Sequence, residues 1–99
     1  MPFSPVGQHF GRRLWFRRRL AGLSQDELGR LIGSDRTEIS QFERGLRIPR
    51  LDTILKLAAG VEVSPCDLVA GLRWRPGSRA RIGGGAYSGP GSSGKAGRR

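Results

Sequence analysis

Residues 24–45 read SQDELGRLIGSDRTEISQFERG, and this stretch decides the fold. It contains two segments that each begin with a helix-capping residue followed three positions later by Glu. The capping residues are Ser24 and Asp35, and this arrangement is typical of helix starts. Gly33 lies between the segments and can adopt the positive φ angle of a tight turn. The spacing therefore predicts two short helices joined by a short connection.

Small and apolar residues occupy the positions where these two helices must cross. Gly29 has no side chain that would hold the helices apart, and Ile39 and Phe42 have the spacing of an inward face. Two helices that cross closely after a glycine turn form a helix-turn-helix, whose second helix enters the major groove of DNA. The stretch therefore predicts a DNA-binding element.

Apolar residues outside this stretch also have helical spacing, and no alternating strand pattern is convincing. A folded part of about 70 residues is sufficient for a small helical bundle. The sequence predicts an all-α domain of five helices within residues 8–72. These helices run from Gln8 to Ala21, from Ser24 to Gly33, from Asp35 to Gly45, from Leu51 to Ala59, and from Ser64-Pro65 to Leu72.

Residues 73–99 differ from the rest of the chain in composition. They contain seven Lys and Arg, no Asp or Glu, and eight of the sixteen Gly. Such a segment buries too little apolar surface to offset the entropy lost on ordering. The sequence predicts a disordered basic tail here, which either adds non-specific affinity for phosphates or is an inert extension.

The composition argues against several classes of protein. The net charge is +10, and residues 73–99 contribute +7 of it. No apolar run is long enough for a membrane helix, and no catalytic triad, carboxylate pair or phosphate loop is readable. His9 and Cys66, one of each type, are too few for a zinc site. We therefore expect a cytoplasmic protein with no cofactor or metal and no enzymatic activity.

Several motifs follow one another in a fixed order. They are Leu23-Ser24-Gln25-Asp26-Glu27-Leu28, then Ile39-Ser40-Gln41-Phe42-Glu43-Arg44-Gly45, then Pro49, then Thr53-Ile54-Leu55-Lys56-Leu57-Ala58. Together they resemble the Cro and phage-repressor (XRE) helix-turn-helix family over about residues 8–72. The resemblance implies a five-helix Cro/repressor-like domain that binds double-stranded operator DNA, usually as a homodimer on a near-palindrome. The chain departs from the family at Ser34, which is usually Val, and at Arg50, where Ser or Thr often caps the fourth helix.

The resemblance also implies roles for the outward residues of the third helix. Arg36, Thr37 and Gln41 match the base-reading positions of the family. Arg can bind guanine with two hydrogen bonds, and Gln can bind adenine. Glu38 either accepts a hydrogen bond from cytosine or closes a capping box with Asp35, and we favour the cap.

Other residues are expected to position the domain rather than to read sequence. The expected phosphate contacts are Gln25, Ser40, Arg44, Arg47 and Arg50. Arg18 and Glu43 resemble a structural ion pair of the family that links the first helix to the end of the third. Trp15 and Phe16 cannot both share the inner face that Phe10 and Leu14 define. They either cover the N-terminal segment or Trp74, or form a partner surface.

Three functions are compatible with these features. The first is a sequence-specific transcriptional regulator, expected to be a repressor. The second is the antitoxin of a toxin–antitoxin pair, which would also bind its own promoter and would have the toxin as its protein partner. The third is a non-specific nucleic-acid binder driven by the basic tail, which would bind any duplex equally.

Overall fold

The computed structural model describes residues 5–77 and 85–89 and confirms the five-helix architecture. The elements are α1 (Pro5–Leu20), α2 (Gln25–Ile32), α3 (Arg36–Glu43), α4 (Leu51–Gly60), α5 (Pro65–Val69), β1 (Arg73–Pro76) and β2 (Gly85–Ser88). The first helix begins three residues before the predicted Gln8, because Pro5 is favourable at a first helical position.

Local side-chain chemistry sets the start of α2 and of α3. The Ser24 hydroxyl accepts from the Glu27 amide at 3.0 Å, and the Glu27 carboxylate accepts from the Ser24 amide at 2.8 Å. Asp35 accepts from the Glu38 amide at 2.9 Å. Gly33 ends α2 with a φ of +75°, so the predicted glycine turn between the two helices is confirmed.

The core lies where α1, α2 and α3 meet α4 and α5. Ile39 and Phe42 are buried at the crossing, as the sequence predicts. A Cβ atom on Gly29 would lie 3.0–3.2 Å from backbone atoms of Asp35, so a larger residue would push the start of α3 away from α2. The remaining buried apolar residues of the core are Phe10, Leu14, Leu28, Leu57, Ala58, Val61 and Leu68.

The inward face of α4 differs from the one that apolar spacing suggests. Leu51 and Leu55, which share a helical spacing with Ile54 and Ala58, are 73% and 50% exposed, whereas Leu57 is fully buried. Almost every side of α4 carries an apolar residue, so periodicity alone does not distinguish its faces.

A β-hairpin corrects the prediction of disorder for residues 73–76 and 85–88. β1 and β2 pair antiparallel, with Trp74 opposite Tyr87. The Trp74 ring covers the site where Gly85 would carry a Cβ atom, and Gly89 lies against the His9 ring, so the hairpin contacts α1. This cross-strand packing offsets the entropy of ordering the strands. The rest of the predicted tail, residues 78–84 and 90–99, lies outside the described residues.

Candidate nucleic-acid interface

The outward side of α3 and the first residue of α2 form one polar surface. A shallow cavity of about 190 Å³ has five side chains in its walls: Gln25, Arg36, Thr37, Ser40 and Arg44. Arg36, Thr37 and Arg44 are exposed, and the other two are half-buried. Two of the predicted base-reading residues and three of the predicted phosphate contacts are therefore brought together in a single surface.

A second cluster joins Glu38 and Gln41 of α3 to Arg47, which follows the end of the helix. Arg47 Nη1 lies 3.3 Å from Gln41 Oε1, to which it donates a hydrogen bond, and 3.6 Å from Glu38 Oε2. The hydroxyl of Ser34 donates to Glu38 Oε1. Arg47 therefore lies against two predicted base-reading residues, and its expected phosphate contact stays a prediction.

This cluster corrects the prediction that Glu38 closes a capping box. Only half of the box is present, because Asp35 accepts from the Glu38 amide while the Glu38 carboxylate interacts with Ser34 and Arg47. Ser34, which stands where the family usually has Val, supplies a donor that Val lacks. The carboxylate therefore has two polar neighbours within the protein.

Arg18 and Glu43 connect α1 to the end of α3 through a buried ion pair. Arg18 Nε lies 2.5 Å from Glu43 Oε2, and Arg18 Nη2 lies 3.0 Å from Oε1. The two side chains are 9% and 3% exposed. Arg18 Nη1 also donates to the Leu23 carbonyl at 2.8 Å. The pair fixes where α3 ends relative to α1, which is the structural link that the resemblance implies.

Gln25 belongs to the same network as well as to the polar surface. Its Nε2 donates to Glu43 Oε1 at 3.0 Å. The amide has a second N–H and a carbonyl oxygen, so one bond to Glu43 does not exhaust it. A phosphate contact by Gln25 stays a prediction. Any such contact would be made by a side-chain amide that is already bound to Glu43 at the end of α3.

Two of the predicted phosphate contacts, Arg44 and Arg50, flank the connection between α3 and α4. Arg44 is exposed at the C-terminal end of α3. Arg50 is exposed before α4, makes no side-chain cap, and lies 3.3 Å from Asp52. Neither side chain is buried, so both are accessible to DNA.

Asp26, beside Gln25 in the first turn of α2, has a positively charged neighbour. Arg30 donates a hydrogen bond to the Asp26 carboxylate at 2.5 Å. This hydrogen bond, together with the nearby positive charge of Arg30, lowers the pKa of Asp26 below its ordinary value. The same contact raises the pKa of Arg30. The positive charge of Arg30 therefore offsets the negative charge of Asp26 next to the candidate interface.

The aromatic pair on α1 lies on a different surface. Trp15 and Phe16 are half exposed and line a cavity of about 420 Å³ between α1 and the end of α5. The remaining lining residues are His9, Arg12, Arg13, Leu68, Ala70 and Leu72. The Arg19 guanidinium lies 5.0 Å from the centre of the Trp15 ring. The surplus of aromatic residues on α1 was the only signal in the sequence for this cavity.

The described part of the chain shows neither a metal site nor a membrane span. None of the His, Cys, Asp and Glu side chains in residues 5–77 and 85–89 form a group of three or more that could hold a metal ion. Over the same two ranges, no helix has the length and apolar character needed to cross a membrane.

Comparison with known families identifies one matching region. The model of the helix-turn-helix family HTH_3 matches residues 16–68, which include all of α2, α3 and α4. A search of curated protein sequences finds no match.

Solved structures of several regulators are similar to this chain. The restriction-modification controller protein C.AhdI from Aeromonas hydrophila shares 42% identity over 63% of this chain and 90% of its own, with a TM-score of 0.61. The P22 c2 repressor, solved with a synthetic operator, shares 33% identity over 65% of this chain and 97% of its own, with a TM-score of 0.60. A complex of SinR with SinI shares 29% identity over 62% of this chain and 60% of its own, with a TM-score of 0.59.

Proposed function

The chain belongs to the helix-turn-helix family HTH_3, and from this premise we propose that it is a transcriptional regulator that binds operator DNA through α3. The observation that carries the proposal is the polar surface formed by Gln25, Arg36, Thr37, Ser40 and Arg44. The similar P22 c2 repressor was solved with an operator, which supports the same class of ligand here. We further propose that the chain has no catalytic activity and acts on DNA in the cytoplasm.

The outer face of α3 supplies the chemistry for reading bases. Arg36 and Thr37 are exposed in its first turn, and Gln41 follows one turn later. A guanidinium can donate two hydrogen bonds to guanine, and a threonine can bond a base edge through its hydroxyl or contact the thymine methyl group. We propose that these three residues contact base edges in the major groove.

Residues around this face supply contacts that do not depend on sequence. Ser40 and Arg44 lie beside the base-reading positions, and Gln25 lies at the N-terminus of α2, where backbone N–H groups favour an anion. Arg50 adds a further exposed positive charge. We propose that these residues contact phosphates and thereby fix the orientation of α3 on the duplex.

The short length of α3 favours two copies of the chain on each operator. Its eight residues span about 12 Å at about 1.5 Å per residue, which covers only a few base pairs. A few base pairs give too little discrimination against the many competing sites of a genome. We therefore propose a homodimer on a near-palindrome, acting as a repressor because a bound dimer occupies promoter DNA.

A protein partner is the second candidate, and the cavity beside Trp15 and Phe16 favours it. The similar SinR was solved in complex with a protein, SinI. An antitoxin would bind both its toxin and its promoter, so this alternative adds a partner to the DNA-binding function. It predicts that the product of a neighbouring gene co-purifies with the chain in a defined ratio.

Selection of bound duplexes from a randomised pool tests the proposed function. The full-length chain should enrich a near-palindromic sequence, and the retained complex should contain two chains per duplex by mass measurement. A pool that stays random after several rounds would instead indicate non-specific binding driven by the basic tail.

A further inference from the structure

The contact with Arg47 defines which end of the Gln41 amide faces the guanidinium. Arg has hydrogen-bond donors and no acceptor, so the amide atom that faces Arg47 Nη1 at 3.3 Å must be the carbonyl oxygen of Gln41. The Nε2 group, at the other end of the amide, has no hydrogen-bond partner among the described residues. Gln41 therefore offers its donors for an external contact.

The backbone keeps Arg47 in reach of this amide. Gly45 turns the chain after α3 with a φ of +74°, and the Leu46 N–H donates to the Gln41 carbonyl at 2.9 Å. This bond ties the residue before Arg47 to the backbone of Gln41 itself. Arg47 is thus kept next to Gln41 by this backbone bond as well as by the contact between the two side chains.

Glu38 adds a second constraint on the guanidinium. Its Oε2 lies 3.6 Å from Arg47 Nη1, while its Oε1 accepts from Ser34. The positive charge of Arg47 offsets a carboxylate that would otherwise repel nearby phosphates. The four side chains form a polar chain from Ser34 to Gln41 across the outward side of α3.

We propose that Arg47 is a positioning residue that determines the base preference of Gln41, an inference that rests on the proposed DNA-reading function. A Gln41 amide held by Arg47 directs Nε2 donors towards acceptors such as guanine O6 and N7 or thymine O4. Two-bond recognition of adenine also needs the Gln41 oxygen as an acceptor, and the bond from Arg47 already occupies one of the two lone pairs of that oxygen and restricts the rotation of the amide. Without Arg47 the amide can rotate and accept from the amino groups of adenine and cytosine.

The test is duplex selection with sequencing, using the full-length wild type and the variants Gln41→Ala, Arg47→Ala and Arg50→Ala. Arg50→Ala is the matched control, because it removes an equal charge from the same connection while leaving the Gln41 amide in place. Gln41→Ala identifies the base pair that Gln41 reads. Arg47→Ala should then reduce the preference at this base pair by roughly fivefold or more and spare the other positions.

Two further measurements separate positioning from a phosphate contact. Arg47→Ala made in the Gln41→Ala background should cause no further change of base preference, since the amide is already absent. Arg47 is exposed, so its variant should keep the wild-type melting temperature. An unchanged base preference in Arg47→Ala would overturn the inference, whether the affinity falls uniformly with a smaller salt dependence or does not change at all.

The same selection distinguishes this failure from failure of the proposed function. If the wild type enriches a motif and Gln41→Ala alters it, the DNA-reading function stands while Arg47→Ala decides the inference. If the wild type enriches no motif, the proposed function is wrong and the inference falls with it.

Discussion

Arg18 and Glu43 form a buried ion pair with two hydrogen bonds, although they lie 25 positions apart in the chain. Gln25 donates to the same carboxylate, so one acidic group at the end of α3 is held from both α1 and α2. Three helices that meet at a single carboxylate cannot tilt independently. The orientation of α3 is therefore set inside the protein before DNA binds.

Loss of one member of this pair should destabilise the fold. Glu43→Ala leaves the Arg18 charge buried without its partner, and we expect the free energy of unfolding to fall by about 3–5 kcal/mol. Replacing both residues, as Arg18→Met with Glu43→Leu, should cost much less, because no buried charge remains. Urea denaturation of the three proteins measures the difference. Equal stability of wild type and Glu43→Ala would contradict the assigned role of the pair.

Phe42 should be essential to the helix crossing. Truncation to Ala removes a ring that is 2% exposed, and we expect a loss of about 3–5 kcal/mol in unfolding free energy. Leu31→Ala is the matched control, since Leu31 is 63% exposed and its truncation leaves no cavity. Thermal melts followed by circular dichroism should show a large drop for the first variant only. Similar melting temperatures for both would mean that the crossing is packed differently.

The loss of base contacts by α3 should be distinguishable, in binding affinity, from the loss of a positive charge elsewhere on the surface. We expect Arg36→Ala and Gln41→Ala each to weaken binding to the selected operator by about 1–3 kcal/mol, with a smaller effect on random duplexes. Lys56→Ala removes an exposed charge from α4 and serves as the control. Titration of labelled duplexes at one salt concentration gives the comparison. Wild-type affinity of both α3 variants for the operator would rule out the proposed groove contact.

The basic C-terminal region should add affinity without adding specificity. A chain ending at Leu72 lacks all seven positive charges of residues 73–99, and a chain ending at Gly89 lacks three of them. If these charges lie along DNA, the slope of log K against log salt should shrink by about 0.9 for each phosphate that the shortened chain no longer neutralises. Salt titrations on operator and scrambled duplexes provide the measurement. An unchanged slope would show that the region is inert, and a collapse of the operator-to-scrambled ratio would show that specificity depends on it.

Features determined by neighbouring residues were predictable from the sequence. The capping box at Ser24, the turn at Gly33 and the inward spacing of Ile39 and Phe42 are each encoded within a few positions. The resemblance to phage repressors added the Arg18–Glu43 pair, which no local pattern indicates.

Features that depend on distant or ambiguous contacts were not predictable. The hydrogen bond from Arg47 to Gln41 joins residues on either side of the turn at Gly45, and the sequence does not specify the path of the chain after that turn. The hairpin requires Trp74 to meet Tyr87 across a connection rich in glycine and arginine, a composition that by itself favours disorder. Leu55 and Leu57 are chemically alike, so only the packing of α4 against its neighbours decides which one is buried.

The division of α3 into a buried and an exposed side has a consequence for how such a regulator diverges after gene duplication. Arg36 and Thr37 are exposed, so under the proposed base reading we expect single substitutions there to give a daughter protein a new operator while its fold is inherited intact. Position 41 is different, because a change there alters a side chain already bound to Arg47. New specificity at that position should arise through paired substitutions, and sister regulators should co-vary at 41 and 47 while they vary independently at 36 and 37.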